Sequence, residues 1–367
     1  MTQREQEIYQ LIRENPMVSQ QEIADRLGIQ RSSVAVHISN LIKKGWIAGK
    51  GYILNTGDYV VVIGGATMDL MGFSDRAFLD GESNPGMTLL SPGGVGRNIA
   101  ENLARLGVEV HLMTAVGQDL YGQQLLERCR EAGIDTRATL KIPGASTSLY
   151  LAMIEPDGEM KLALSSMAVM DQLEVEALRR EDALLSGAAA IIADTNLPEK
   201  TLTYLMSQYR HIPIYVDPVS APKSERLKGA LEGIDTLKPN QKELEALTGM
   251  KTDTLDAAKK AAAALCQKGI RRVVVSIGAQ GALYATRETV QFFRSLPVKS
   301  ANATGAGDAF MAGLVYSAIN KLDDRSAMDC AMSMAELTLE SADAIAQNLN
   351  ENLLMNRLNA HKIEDRL

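Results

Sequence analysis

The chain has 367 residues, 46% of them hydrophobic and 23% charged, enough to bury a large core in two unequal domains and too apolar for a disordered chain. Three scattered cysteines, Cys129, Cys266 and Cys330, give neither a disulfide framework nor a zinc-ligand spacing, and residues 1–13 lack the apolar core of a signal peptide. No apolar run approaches the roughly 18 residues of a membrane span, so a soluble, cytoplasmic protein without membrane contact is expected.

The net charge of −7 is unevenly spread. Residues 1–50 hold seven Lys and Arg against five Asp and Glu, so the acid surplus lies wholly in the remainder. An acidic body argues against general nucleic-acid binding there, while a mildly basic head leaves it open.

Residues 3–14 place Ile8, Leu11 and Ile12 at helical spacing, and Asn15-Pro16 ends that helix. Ser19-Gln-Gln-Glu22 reads as a capping box opening a second helix, with Ile23, Ala24 and Leu27 on one face before Gly28 turns the chain. A third helix is predicted over about residues 30–44. Its stripe is Val34, Ile38, Leu41 and Ile42, leaving Arg31, Ser32, Ser33, His37 and Asn40 on the polar side. Residues 45–54 read as a small hairpin. This layout over residues 1–54 resembles a winged helix-turn-helix, with Arg31, Ser33, His37 and Lys50 as candidate DNA contacts; a helical cap or dimerisation module has the same outline. Residues 55–58 are the linker.

From Tyr59 strands alternate with helices. Residues 60–63 form a buried strand running into Gly64-Gly65-Ala66-Thr67-Met68-Asp69, and Gly93-Gly94-Val95-Gly96-Arg97-Asn98 opens a helix with the stripe Ile99, Leu103 and Leu106. Residues 110–114, 190–193, 214–216, 236–238 and 273–277 are further short apolar strands. Such alternation predicts a mainly parallel sheet with helices on both faces, whose ligands gather at the carboxyl ends of the strands. Asp69, Asn196, Asp217, Asn240 and Gly278 closely follow such ends. Two segments break the rhythm: residues 71–90 are polar and turn-rich, and residues 148–164 alternate as two strands about Glu155-Pro-Asp-Gly158. Together they form either a small second sheet acting as a lid or a pair of surface loops.

Near the end, Asn302-Ala-Thr-Gly-Ala-Gly-Asp308-Ala-Phe310 precedes an apolar run over residues 311–319. Here Gly305 and Gly307 free the backbone so that the amides of Gly305, Ala306 and Gly307 converge on an anion at a helix start. Asp308 is then either a satisfied first-turn residue or a base beside an attacking hydroxyl. Asn240-Gln-Lys-Glu243 offers an oxygen and a carboxylate to magnesium, or a capping box. Ser276-Ile-Gly-Ala-Gln-Gly281 allows close approach of a nucleotide, or a tight hairpin. A Walker loop, a dinucleotide fingerprint and a histidine metal motif are all absent.

In this order, the glycine cluster, Asn-x-x-Glu, Ser-x-Gly-x-x-Gly and Thr-Gly-Ala-Gly-Asp resemble the ribokinase-like (PfkB) carbohydrate and nucleoside kinases over about residues 59–350. The resemblance implies a three-layer α/β/α sandwich with a small β lid from about residues 71–92 and 148–164, in a kinase domain spanning 59–367. It implies Asp308 as the catalytic base, with Gly305, Ala306 and Gly307 as the anion hole. It implies Asn240 and Glu243 as the magnesium motif, and Asn240, Ser276, Gly278, Gly281, Thr304, Gly305 and Gly307 as ATP contacts. Asp69, Gly93, Gly94 and Asn98 match sugar-holding positions. Asn302 stands where many members have Asp, and Ser341 where a Gly often lines the monovalent-cation loop, which predicts a weakened potassium site.

Within that family the chain looks most like the pseudouridine kinases, on its Asn-x-Thr-Gly-Ala-Gly-Asp signature and Asp194-Thr-Asn196-Leu-Pro198. Asn196 becomes a candidate to read ribose or base, or else a strand-end turn residue. The expected activity is ATP- and Mg²⁺-dependent phosphorylation of the 5'-hydroxyl of a nucleoside, most of all pseudouridine, by a homodimer with a DNA-binding head. The alternatives are the same chemistry on ribose, inosine or cytidine, and a ligand-sensing transcription regulator on a kinase fold.

Overall fold

The computed structural model describes residues 1–47, 58–299 and 303–364. Lys50, Asn302 and most of the expected hairpin and linker lie outside the described residues.

In the head, helices Gln3–Glu14, Gln20–Leu27 and Arg31–Lys43 close over a core of Ile8, Ile12, Val18, Ile23, Val34, Ile38 and Leu41. Thr2 and Glu5 form a reciprocal capping box on the first helix. Lys44 then donates to the Glu5 carboxylate at 2.8 Å, tying the end of the third helix to the start of the first. Two expectations change. Ser19 accepts from the Glu22 amide, giving the N-cap half of the expected box. Ile42 is 45% exposed rather than part of the buried stripe, because a seam through residues 34, 38 and 41 carries position 42 past the edge of the packed face.

The body is built on an eight-stranded sheet in the order Val290–Arg294, Gly281–Ala285, Arg272–Ser276, Thr236–Leu237, Ile214–Asp217, Ala190–Asp194, Tyr59–Ile63, Glu109–Met113. The last six run parallel, and the first two are antiparallel additions that sequence reasoning did not place. Consecutive strand residues alternate between two cores: Val61, Ile63, Ile191, Val216 and Val273 face one, and Val60, Val62, Ile192, Tyr215 and Val274 the other. Burial on both faces is why these strands read as unbroken apolar runs. Helix Ala306–Ile319 lies within the second core, its residues 308–317 all buried. Gly313 lets it approach the Asp324–Leu339 helix closely, since a Cβ there would sit 2.6 Å from the Ala331 Cα.

A separate four-stranded sheet, ordered Gly86–Gly93, Thr67–Ser74, Leu149–Ile154, Met160–Ser166, forms the lid. It begins at Thr67, earlier than expected, so Asp69 lies inside a lid strand instead of after a strand of the main sheet. Direct register places Leu70, Leu90, Leu151 and Leu164 in one row, with Gly72, Thr88, Met153 and Leu162 in the next row on the same face. The opposite face carries the row Asp69, Ser91, Tyr150 and Ser165.

Candidate active site

The centre of the site is the start of helix Ala306–Ile319. Gly305 caps it at φ 82, a left-handed angle, and a Cβ at that position would collide with the carbonyl oxygen of Ala344. Both conditions select glycine. The helical ladder begins with the Ala309 amide donating to the Gly305 carbonyl at 2.9 Å, so the amides from Gly305 to Asp308 are the four that a helix start leaves without an internal partner. Thr304, just before the cap, is exposed.

Asp308 is 8% exposed and accepts from Asn98 Nδ2 at 2.8 Å. Burial, reinforced by the charge of Asp217, pushes its carboxyl up to about 7, against the Asn98 hydrogen bond and Lys238. Arg97 donates to Asn98 Oδ1 at 3.0 Å and to the Pro92 carbonyl at 3.1 Å while pairing with Glu101. With its oxygen taken, the Asn98 amide turns its nitrogen to Asp308. On the lid side Asp69 accepts from Thr67 Oγ1 at 2.6 Å. A Cβ at Gly93 would strike the Asp69 carboxylate, and Gly94, at φ 94, backs onto Gly65 and Ala66, so these two glycines make room.

Behind the helix start lies Lys238, 4% exposed, 3.1 Å from Asp217 Oδ2 and 3.3 Å from where a Gly307 Cβ would be. Burial opposes its charge, but Asp217, Glu243 and Asp308 outweigh burial and keep it protonated. Asp217 also accepts from the Val219 amide at 2.8 Å, and Val219 is held at φ 61, where a β-branched residue is strained. Asn240 and Glu243 form a full capping box, with the Asn240 amide 2.8 Å from Glu243 Oε2 and the Glu243 amide 2.9 Å from Asn240 Oδ1. The box does not remove Glu243 from the site. It stays near enough to Asp217 and Lys238 to feel both, and burial then Asp217 raise its carboxyl.

Ser276 ends a strand and bridges to Asn240. After it the chain makes the tight hairpin alternative, with Gly278 at φ 55 and Gly281 at φ 129, and a Gly281 Cβ would strike the Phe293 carbonyl. Asn196 is 4% exposed, and its Oδ1 accepts from Lys223 Nζ at 2.5 Å. In the head, Arg31 and Ser33 are exposed in the first turn of the third helix, and His37 is half-buried.

Two residues of the site had no role assigned from their motifs. Asp194, 1% exposed, accepts from the amides of Gly65 at 2.7 Å, Gly96 at 3.0 Å and Asn196 at 2.8 Å, joining three segments; burial pushes its carboxyl up to about 6 against those bonds. Lys238 is the other. The available signal was a lone charge at the end of an apolar strand.

The profile of the pfkB family carbohydrate kinases matches residues 58–351. The chain belongs to that family. The kinase is therefore a phosphotransferase with an alcohol acceptor, and its residues 1–48 match the winged helix-turn-helix DNA-binding profile. It is 40% identical over 343 residues to the uncharacterized sugar kinase YeiI of Escherichia coli (strain K12), covering 93% of this chain and 94% of that one. It is 40% identical over 259 residues to the pseudouridine kinase of the same organism, covering 70% of this chain and 82% of that one. Among solved structures, a putative sugar kinase from Clostridium perfringens superposes with a TM-score of 0.74 at 30% identity, over 83% of this chain and 96% of that one. An Arabidopsis thaliana ribokinase complexed with ribose and ATP shares the fold at a TM-score of 0.73 and 20% identity, over 83% of this chain and 99% of that one. Among the described residues no helix is long and apolar enough to cross a membrane.

Proposed function

We propose that the kinase moves the γ-phosphoryl group of ATP to the 5'-hydroxyl of a nucleoside, with pseudouridine the preferred acceptor. The observation that carries this is Asp308, a buried carboxyl raised to about 7 and set in the first turn of an amide-rich helix start. A base with that affinity takes a proton at neutral pH. As the acceptor oxygen closes on the γ-phosphorus, its proton passes to Asp308 and the bond to the bridging oxygen breaks, releasing ADP. The amides of Gly305, Ala306 and Gly307, backed by Lys238, oppose the charge gathering on the transferred oxygens.

In this reading Asn98 orients the Asp308 carboxylate, Asp69 holds ring hydroxyls, and Gly93 and Gly94 allow the sugar onto bare backbone. Ser276, Gly278, Gly281 and Thr304 border the nucleotide. Asp217, Glu243 and Asp308 surround a single lysine, and that excess of negative charge suits a magnesium ion. Among the described residues no three ligating side chains cluster, so Asn240 and Glu243 would hold the ion mainly through its waters and the phosphates. When bound, the ion neutralises phosphate charge. Asn302 and Ser341 in place of Asp and Gly imply weak potassium dependence.

Pseudouridine is favoured by the 40% identity to a pseudouridine kinase and by the Asp194-Thr-Asn196-Leu-Pro198 segment that carries the site's carboxylate hub. The match of residues 1–48 favours a second role, DNA binding through Arg31, Ser33, His37 and Lys50. The uncharged leucine face of the lid fits a second copy of this chain, giving a homodimer. Initial rates of ADP release with pseudouridine, uridine, cytidine, inosine and ribose test the substrate. Pseudouridine should give the highest kcat/KM, and equal use of uridine or ribose overturns that choice.

A further inference from the structure

Lys223 is a half-buried cation whose hydrogen-bond partners are Asn196 Oδ1 at 2.5 Å and the thioether of Met167 at 3.4 Å, neither of them a carboxylate. An ammonium has three protons and no lone pair, so Lys223 keeps donating capacity. The same contact fixes Asn196. Its oxygen is taken by Lys223, and its nitrogen lies against Gly65, where a Cβ would collide with it, giving one of its two protons to the Asp194 carboxylate. The segment cannot swing away, because the Asn196 amide is held by Asp194, and Arg226 donates to the carbonyls of Thr195, Asn196 and Leu197 at 3.2, 3.0 and 3.0 Å. Turning the amide over would set its NH₂ against the ammonium and leave donors unpaired in a buried place.

We propose that Lys223 and Asn196 form a donor-only pair that selects nucleosides whose base presents a carbonyl oxygen and disfavours those presenting an amino group at that point. The inference rests on the nucleoside-kinase reading: an acceptor anchored at Asp308 by its 5'-hydroxyl and at Asp69 by its ring hydroxyls has only its base left to meet Gly65, Asn196 and Met167. Gly65 links the two regions, since its amide donates to the same Asp194 carboxylate that anchors Asn196. Arg226 beside the pair is anchored through Nη1 to three backbone carbonyls. An amino group brought to the pair meets donors only.

The test compares kcat/KM within two pairs, uridine against cytidine and pseudouridine against pseudoisocytidine, in which one ring carbonyl gives way to an amino group. Ratios within one preparation do not depend on how much of it is folded. The wild-type kinase should favour the carbonyl partner in at least one pair by about 10- to 100-fold. Lys223→Met, which frees the Asn196 amide to turn, should bring that ratio towards unity, and Lys223→Arg should keep it above the Met variant. Phosphorylation of nucleosides with no carbonyl preference, or with a preference that Lys223→Met leaves unchanged, overturns the pair's role alone. Phosphorylation of ribose with no nucleoside used overturns the proposed function as well.

Discussion

Asp308 links protonation to both turnover and stability. Its carboxyl is raised from 3.8 to about 7 in the folded protein, so the folded state keeps a proton that the unfolded chain has released. Stability contributed by that proton is full at low pH and is lost between those two values, at roughly 1.4 kcal/mol per pH unit. Asp308→Asn removes a buried charge: its melting temperature should exceed that of the wild type at pH 8 and differ little at pH 4. The same variant should lose about 10²- to 10⁴-fold in kcat, read by ADP release, while calorimetry still detects nucleoside binding. For the wild type, kcat/KM should rise with pH through about 7. Lys238→Met removes a cation that holds the Asp308 carboxyl down, so that rise should move to higher pH as well as to a lower plateau. The place of Asp308 in the first turn of a helix was legible in the Thr-Gly-Ala-Gly-Asp run, whose glycines announce a phosphate-sized gap. Lys238 and the hub role of Asp194 were not legible, since a single charge at a strand end reads as solvated until the sheet brings residues 194, 217, 238 and 308 within electrostatic reach of one another.

The elements show why some predictions transferred and others did not. Strands buried on both faces announced themselves as apolar runs, and the parallel sheet followed. The last two strands at that end of the sheet, Gly281–Ala285 and Val290–Arg294, are joined to it by a 3-10 turn and to each other by a short loop, with no α-helix between, so the alternating rhythm that exposed the rest gave no sign of them. Ser276–Gly281 was legible as a hairpin or a nucleotide loop, and local sequence could not choose, because both need glycine at positive φ. The Gly305 cap should tolerate no side chain: Gly305→Ala must displace the Ala344 carbonyl, and a loss of kcat larger than the rise in KM is expected, with a lower melting temperature. On the lid, Leu90 and Leu164 are 40% and 64% exposed in a row without charge. Leu90→Lys with Leu164→Lys should shift the proposed dimer to monomer in sedimentation, and an unchanged sedimentation coefficient would overturn the lid as its interface.

At the scale of the molecule, the head brings its own core and the body its own sheets, and they touch where Gly45 backs onto Ser186 and Gly187, with no room for a Cβ. The first 50 residues are slightly basic and the rest acidic. DNA binding by the head should weaken steeply as salt rises, measured by titrating the full-length kinase against promoter DNA, and Arg31→Ala should lessen that dependence. A response flat with salt would leave the head as a packing module.

The wall-to-wall burial of residues 308–317 has a consequence for how the chain is made. Synthesis delivers the head first, and the core residues described for it lie within the first 47 residues. The rod that seats Asp308 emerges more than 250 residues later, and until it does, the second core lacks the buried side chains that this helix supplies. A ribosome-bound chain would therefore hold the head beside a body with neither its central pillar nor its Asp308 carboxyl, and chaperones would meet it in that interval.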